Sequence, residues 1–240
     1  MLIGTATGLQ SCQGLPQTSR PSPTALKRTT SMASSLTGLM RQLTWADFAT
    51  RRGPAPRAGV LMTAAVTEAR LRLSGLAFRH DPAQARGTVS LVDSLHIAIS
   101  LHASSFKMDW LASQPAGFQA DLLNHEQGHY WITALLARDL FVDMMLQQSE
   151  VYASDAAGMA AFNAIKADSV DKIQAIQDMY DREVHPEQAQ SLSRGPIQQQ
   201  WDTIFRAAFT NPRASGTTAP DGTPHRAQLV VVIRASGRSI

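Results

Sequence analysis

Among 240 residues the chain has a single cysteine, Cys12. That excludes an internal disulfide framework and any thiolate zinc site, so a bound metal must be held by histidines and carboxylates. No apolar run approaches the ~20 residues that a membrane-spanning helix needs. Acidic residues are missing before Asp47, whereas Arg20, Lys27, Arg28 and Arg41 are all present by then. Residues 1–42 are rich in Ser, Thr, Gly and Pro, lack periodicity, and read as a disordered N-terminal segment. They show no charged start followed by an apolar stretch, so no secretory signal is legible there. The formal net charge of +3 is modest, and basic residues are not clustered with aromatics, so no nucleic-acid partner is expected. A soluble protein of ordinary hydrophobic content is what remains.

What is present is concentrated in His125-Glu126-Gln127-Gly128-His129. Two residues four apart on an α-helix lie one above the other on one face, so both imidazoles can reach one ion. Glu126, rotated by one residue, flanks that ion and can act as general base toward a metal-activated water. The setting is helical. Pro115 and Gly117 mark a start, and Phe118 to Gln148 contains no proline and one glycine, Gly128. Phe118, Leu122, Ile132, Leu136 and Leu140 recur at three-to-four-residue spacing on the side of the histidines, which predicts a long amphipathic helix carrying the motif.

Upstream, Leu61 to Leu73 alternates, with Thr63, Ala65, Thr67, Ala69 and Leu71 on one side and Glu68, Arg70 and Arg72 on the other. It reads as one half-buried strand or two. Ser90 to His102 alternates more cleanly, with Leu95, Ile97, Ile99 and Leu101 inward and His96 and His102 outward. Phe78 to Arg86 reads as a loop. Downstream, Ser154 to Val184 predicts a second helix with the stripe Phe162, Ile165, Ile173, Ile176 and Tyr180, stopped by Pro186. Pro196 to Phe209 predicts a third, with Ile197, Trp201, Ile204 and Phe205 inward. Residues 211–240 read as a C-terminal tail in which Gln228 to Arg234 could add a strand to a sheet edge. Strands first and helices afterwards predict an α+β fold, a mainly antiparallel sheet packed on the motif helix, with residues 43–210 as the folded domain.

Two histidines need a third protein ligand. No histidine follows closely, the next being His185, and the downstream carboxylates are Asp139, Asp143, Glu150, Asp155, Asp168, Asp171, Asp178, Asp181 and Glu183. A helical hairpin turning near residue 150 would set Asp171 or Asp178 opposite the histidines, although both lie off the apolar stripe. Asp181, Glu183 and His185 would need a hairpin shifted by roughly two turns, about 10 Å. Periodicity leaves the choice open.

The chain resembles a bacterial family of predicted secreted zinc-dependent proteases, domain of unknown function 922. The resemblance is carried by Leu43-Thr44-Trp45-Ala46-Asp47-Phe48, Trp110, Leu122 to Tyr130, Ala137-Arg138, Tyr180-Asp181, His185 and Gln199-Gln200-Trp201. It implies a zincin-like metallopeptidase acting on a peptide or protein substrate, with Zn²⁺ on His125 and His129. His185 is then the first candidate for third ligand, Asp181 the alternative, and Tyr180 a stabiliser of the oxyanion. A periplasmic or secreted protein is implied too, which this N-terminus would allow only with a start codon further upstream. Where that family has glycine after its histidine, this chain has Pro186, so the backbone there must differ. The competing expectation is a non-catalytic domain whose structural or vestigial metal site serves a protein partner.

Overall fold

Strand-forming and helix-forming segments separate along the chain. The computed structural model describes residues 34–54, 63–80, 89–147, 150–184, 195–219 and 221–240, all within one compact unit, Ser31–Ile240. The fold class is α+β, two small mixed sheets followed by four helices among the described residues.

The strands are β1 (Ser35–Thr37), β2 (Ala49–Arg51), β3 (Ala65–Val66), β4 (Ala69–His80), β5 (Val89–Leu101), β6 (Phe106–Met108) and β7 (Val151–Tyr152). β5 is the hub of the first sheet, antiparallel to β4 and β7 and parallel to β1. The second sheet has the order β2-β6-β3, with β2 parallel and β3 antiparallel to β6. Both sheets are therefore mixed, although the longest ladder, β4 with β5, and three of the five pairings among the described residues are antiparallel. Segments distant in sequence, 35–37 and 49–51, run beside β5 and β6 without a hairpin to reverse them.

Leu95, Ile97 and Ile99 of β5 are buried as their alternation predicts. Two expectations fail around them. Residues 34–42 of the segment expected to be disordered belong to the fold: β1 pairs with β5, Ser35 Oγ meets His96 Nδ1 at 2.8 Å, and Ser34 Oγ accepts from Leu95 N, while residues 1–33 lie outside the described residues. The second correction concerns Phe78 to His80, which continue β4 instead of forming a loop, while residues 81–86 of the expected loop lie outside the described residues. The register shifts between Ser74 and Leu76, where Gly75 takes φ +78°. A bulge of this kind adds one residue and inverts the parity of the strand. Leu71 and Leu73 pack on the core before it, Leu76 and Phe78 after it.

The helices are α1 (Ala116–Leu146), α2 (Asp155–Val184), α3 (Gly195–Thr210) and α4 (Leu229–Ala235). α1 is not a one-stripe amphipathic helix but the central rod of the molecule. Tyr130, Ala134, Ala137, Leu140 and Met144 pack on the sheet side, while Ile132, Leu135 and Leu136 pack on α2, α3 and α4. A helix buried around its circumference loses its single stripe. α3 buries Trp201, Ile204, Phe205 and Ala208, but Ile197, expected inward, is 38 % exposed.

Residues 229–235 form a helix, not an edge strand. Leu229 and Ile233, one turn apart, are fully buried against α1 and α3, contributing on the order of 3–6 kcal/mol together. Val231 points outward, 46 % exposed. Asp139 of α1 accepts the Leu229 N–H at 2.8 Å, capping the first turn from another helix.

Candidate metal centre

α1 and α2 run side by side so that the His125/His129 pair faces Gln177 and Asp181, which are also four apart on one helical face. His125 Nε2 lies 3.0 Å from His129 Nε2. Asp181 Oδ1 lies 3.3 Å from the first and 3.0 Å from the second. One ligand atom from each of the three residues thus converges within 4.8 Å. Two imidazole nitrogens with one carboxylate oxygen form a donor set that suits zinc, so the residues present fit a metal ion. His125 is buried and the His129 side chain 13 % exposed, whereas the Asp181 side chain is 53 % exposed and leaves one side of the group toward solvent.

The electrostatics agree. Burial works against a charged His129 ring, but the Asp181 hydrogen bond and the Asp181 and Glu126 carboxylates outweigh it and raise its pKa. Desolvation likewise pushes Asp181 up, yet the bonds from His125 and His129 hold its carboxyl well below the usual carboxylate range. Both shifts describe a proton shared between His129 and Asp181, and a metal ion bound by these atoms would take the place of that proton. Glu126 is 3 % exposed and outside the ligand group. It is close enough for its charge to act on His129.

The remaining residues of the motif build its surroundings. Gln127, buried, accepts from Leu43 N at 2.7 Å and donates to the Arg41 carbonyl at 3.2 Å, tying the N-terminal segment to α1. Tyr130 donates to the Gly38 carbonyl at 2.8 Å. Gly128 admits Tyr180, since a Cβ at this position would lie 2.2 Å from the Tyr180 hydroxyl oxygen and 2.5 Å from Cζ. The Tyr180 ring stacks on His125 with centroids 4.9 Å apart and planes 12° from parallel. Its hydroxyl donates to Gln198 Oε1 at 2.9 Å and sits 3.2 Å from the His125 carbonyl. Gln198 in turn donates to Asp202, which also accepts from Asn124. Gly128→Ala should therefore cost about 1–3 kcal/mol by overpacking a fully buried ring, beyond the small gain in helix propensity. Thermal unfolding of the metal-free chain checks this, and an unchanged or raised Tm would refute the close approach.

Of the carboxylates open to the third position, Asp181 alone joins the group. Glu183 accepts instead from Trp201 Nε1 and Arg238. Asp139 and Asp143 face Arg138 and Arg213, Asp168 pairs with Lys172, Asp178 accepts from Gln174, and Asp171 is exposed. The hairpin pairs His129 with Gln177 and His125 with Tyr180 and Asp181, about six residues or ~9 Å further along α2 than a turn at residue 150 would give. β7 and the residues around it occupy the connection and displace the turn. His185 lies outside the described residues. Asp181→Ala is expected to weaken zinc binding by at least about 100-fold in a chelator competition, with Asp171→Ala and Asp178→Ala near wild type. A tight-binding Asp181→Ala would return the third position to another residue, and His185→Ala in parallel would show whether it is that histidine.

Sequence reading missed Gln177, Gln198, Asn124 and Asp202 as parts of the site. A signal existed for the first: Gln177-x-x-x-Asp181 repeats on α2 the spacing of the histidines on α1. Compared with family models, curated proteins and solved structures, the chain gives no match. Among the described residues, no helix is long and apolar enough to cross a membrane.

Proposed function

We propose that the protein is a zinc-dependent metallopeptidase in which His125, His129 and Asp181 hold the metal and Glu126 is the general base. The observation that carries this reading is the convergence of the three ligand atoms to 3.0–3.3 Å beside a buried glutamate. When bound, Zn²⁺ lowers the pKa of a coordinated water and polarises a carbonyl. Glu126 takes the proton from the attacking water and delivers it to the leaving amine. Asp181, on the solvent side, holds its carboxylate where substrate approaches, and Tyr180 keeps the His125 ring in place rather than meeting the substrate. The motif and the resemblance of residues 43–206 to the predicted zinc-dependent proteases support the same reaction and a peptide substrate; a periplasmic or secreted location rests on that resemblance alone.

The test is metal removal. The full chain should carry about one zinc, hydrolyse an unfolded protein, lose hydrolysis on chelation and regain it with Zn²⁺. Bound zinc with no hydrolysis over several unfolded substrates and pH values would refute the peptidase and leave a non-catalytic metal site.

A further inference from the structure

The amide of Gln177 has an orientation that its partners determine. Gln177 Nε2 donates to the His129 backbone carbonyl at 2.9 Å and lies 3.3 Å from Thr133 Oγ1. A backbone carbonyl can only accept, so the atom facing it is the nitrogen, and the Gln177 oxygen is the atom that meets His129 Nδ1. A carbonyl oxygen likewise can only accept, so His129 Nδ1 carries a proton. In a neutral imidazole the lone pair is then on Nε2, the atom that points at His125 Nε2 and Asp181 Oδ1.

We infer that Gln177 is the positioning residue that fixes His129 in the tautomer able to ligate a metal. The inference rests on the metal-site reading above. Without Gln177 the neutral ring could carry its proton on Nε2 and donate it to Asp181, so a metal would have to displace both the proton and that hydrogen bond. Gln177 stands one helical turn before Asp181, so α2 supplies one ligand and the orienter of another from the same face. The orienter here is a neutral amide. It sets the direction of the ring without adding another negative charge beside Asp181 and the buried Glu126.

The experiment compares zinc affinity, by chelator competition on the full chain, for wild type, Gln177→Met and Gln177→Glu, with the absorption spectrum of each Co²⁺-loaded protein. Methionine keeps the length and packing of the side chain and removes the acceptor, whereas glutamate keeps an acceptor for Nδ1–H. Gln177→Met is expected to weaken zinc binding about 10–100-fold and to change the Co²⁺ spectrum, while Gln177→Glu recovers most of the loss and the wild-type spectrum. A purely structural role would lower the Tm of the metal-free variants without separating the two in affinity or spectrum. Equal affinities for wild type and Gln177→Met, or equal losses in both variants, would overturn the inference while the metal site stood. Failure of the wild type to bind any metal would overturn the metal site and this inference together.

Discussion

Glu126→Gln is expected to retain zinc at wild-type stoichiometry and to lose hydrolysis by about 10²–10⁴-fold, the range over which a positioned proton-transfer group accelerates a reaction. The substitution keeps the volume of a buried side chain and removes its charge together with its capacity to take a proton. Glu126 is not one of the three residues whose ligand atoms converge, so the metal should remain. Its charge helps hold His129 in the cationic direction when no metal is present. Neutralising it therefore alters the field at the ligand as well as the proton path. The two effects separate in the data, because a weaker field shows as a change in metal affinity and a missing base as lost turnover at saturating metal. Hydrolysis above about one tenth of wild type at full zinc occupancy would remove Glu126 from the base role.

How much of this was legible in the sequence depends on how local each determinant is. α2 and α3 were readable because their stripes are continuous at the helical period, as in Phe162, Ile165, Ile176 and Tyr180. β5 was readable because its alternation is unbroken from Leu95 to Ile99. β4 was cut short because one residue, Gly75, inverts the parity and makes Leu76 and Phe78 look out of phase. The run Leu229 to Ile233 has the β-branched composition of a strand. It is helical because Asp139, ninety residues earlier in the chain, provides a cap, and α1 and α3 provide a pocket for Leu229 and Ile233. Tertiary context overrides a weak intrinsic preference of a few tenths of a kcal/mol per residue.

The site divides in the same way. His125, Glu126 and His129 are linked by helix geometry alone, so spacing in the sequence places them together. The third member depends on the register between two helices, which no periodicity encodes. It is set here by Gly128 admitting Tyr180 and by β7 displacing the turn. Those contacts bring Asp181 rather than Asp171 or Asp178 to the histidines. Gln127 was legible only as part of a motif; its task is to hold Arg41 and Leu43 against the helix.

Arg138→Met should be strongly destabilising although it lies outside the site, because the arginine secures the C-terminal segment from within the core. Its side chain is 7 % exposed. Nε and Nη2 donate to Asp139 Oδ1 at 3.1 and 2.6 Å, Nη1 to the Ala208 carbonyl at 2.6 Å, and Nη2 to the Ala227 carbonyl at 2.7 Å. Asp139 then caps α4 through Leu229 N. Burial already pushes the Asp139 carboxyl up, against the pull of Arg138 and the Leu229 N–H. Removing the guanidinium leaves a buried carboxylate and two carbonyls without their donor, which costs about 3–5 kcal/mol. For a domain of this size that lowers Tm by roughly 6–20 °C. Replacing both partners, Arg138→Met with Asp139→Leu, should cost less than Arg138→Met alone, since no charge is then left buried. Zinc affinity measured below the lowered transition should stay near wild type, because Arg138 lies nine residues beyond His129, ~13 Å along α1. A Tm loss under about 2 °C, or a double variant no better than the single, would show that the C-terminal segment is held by its apolar contacts instead.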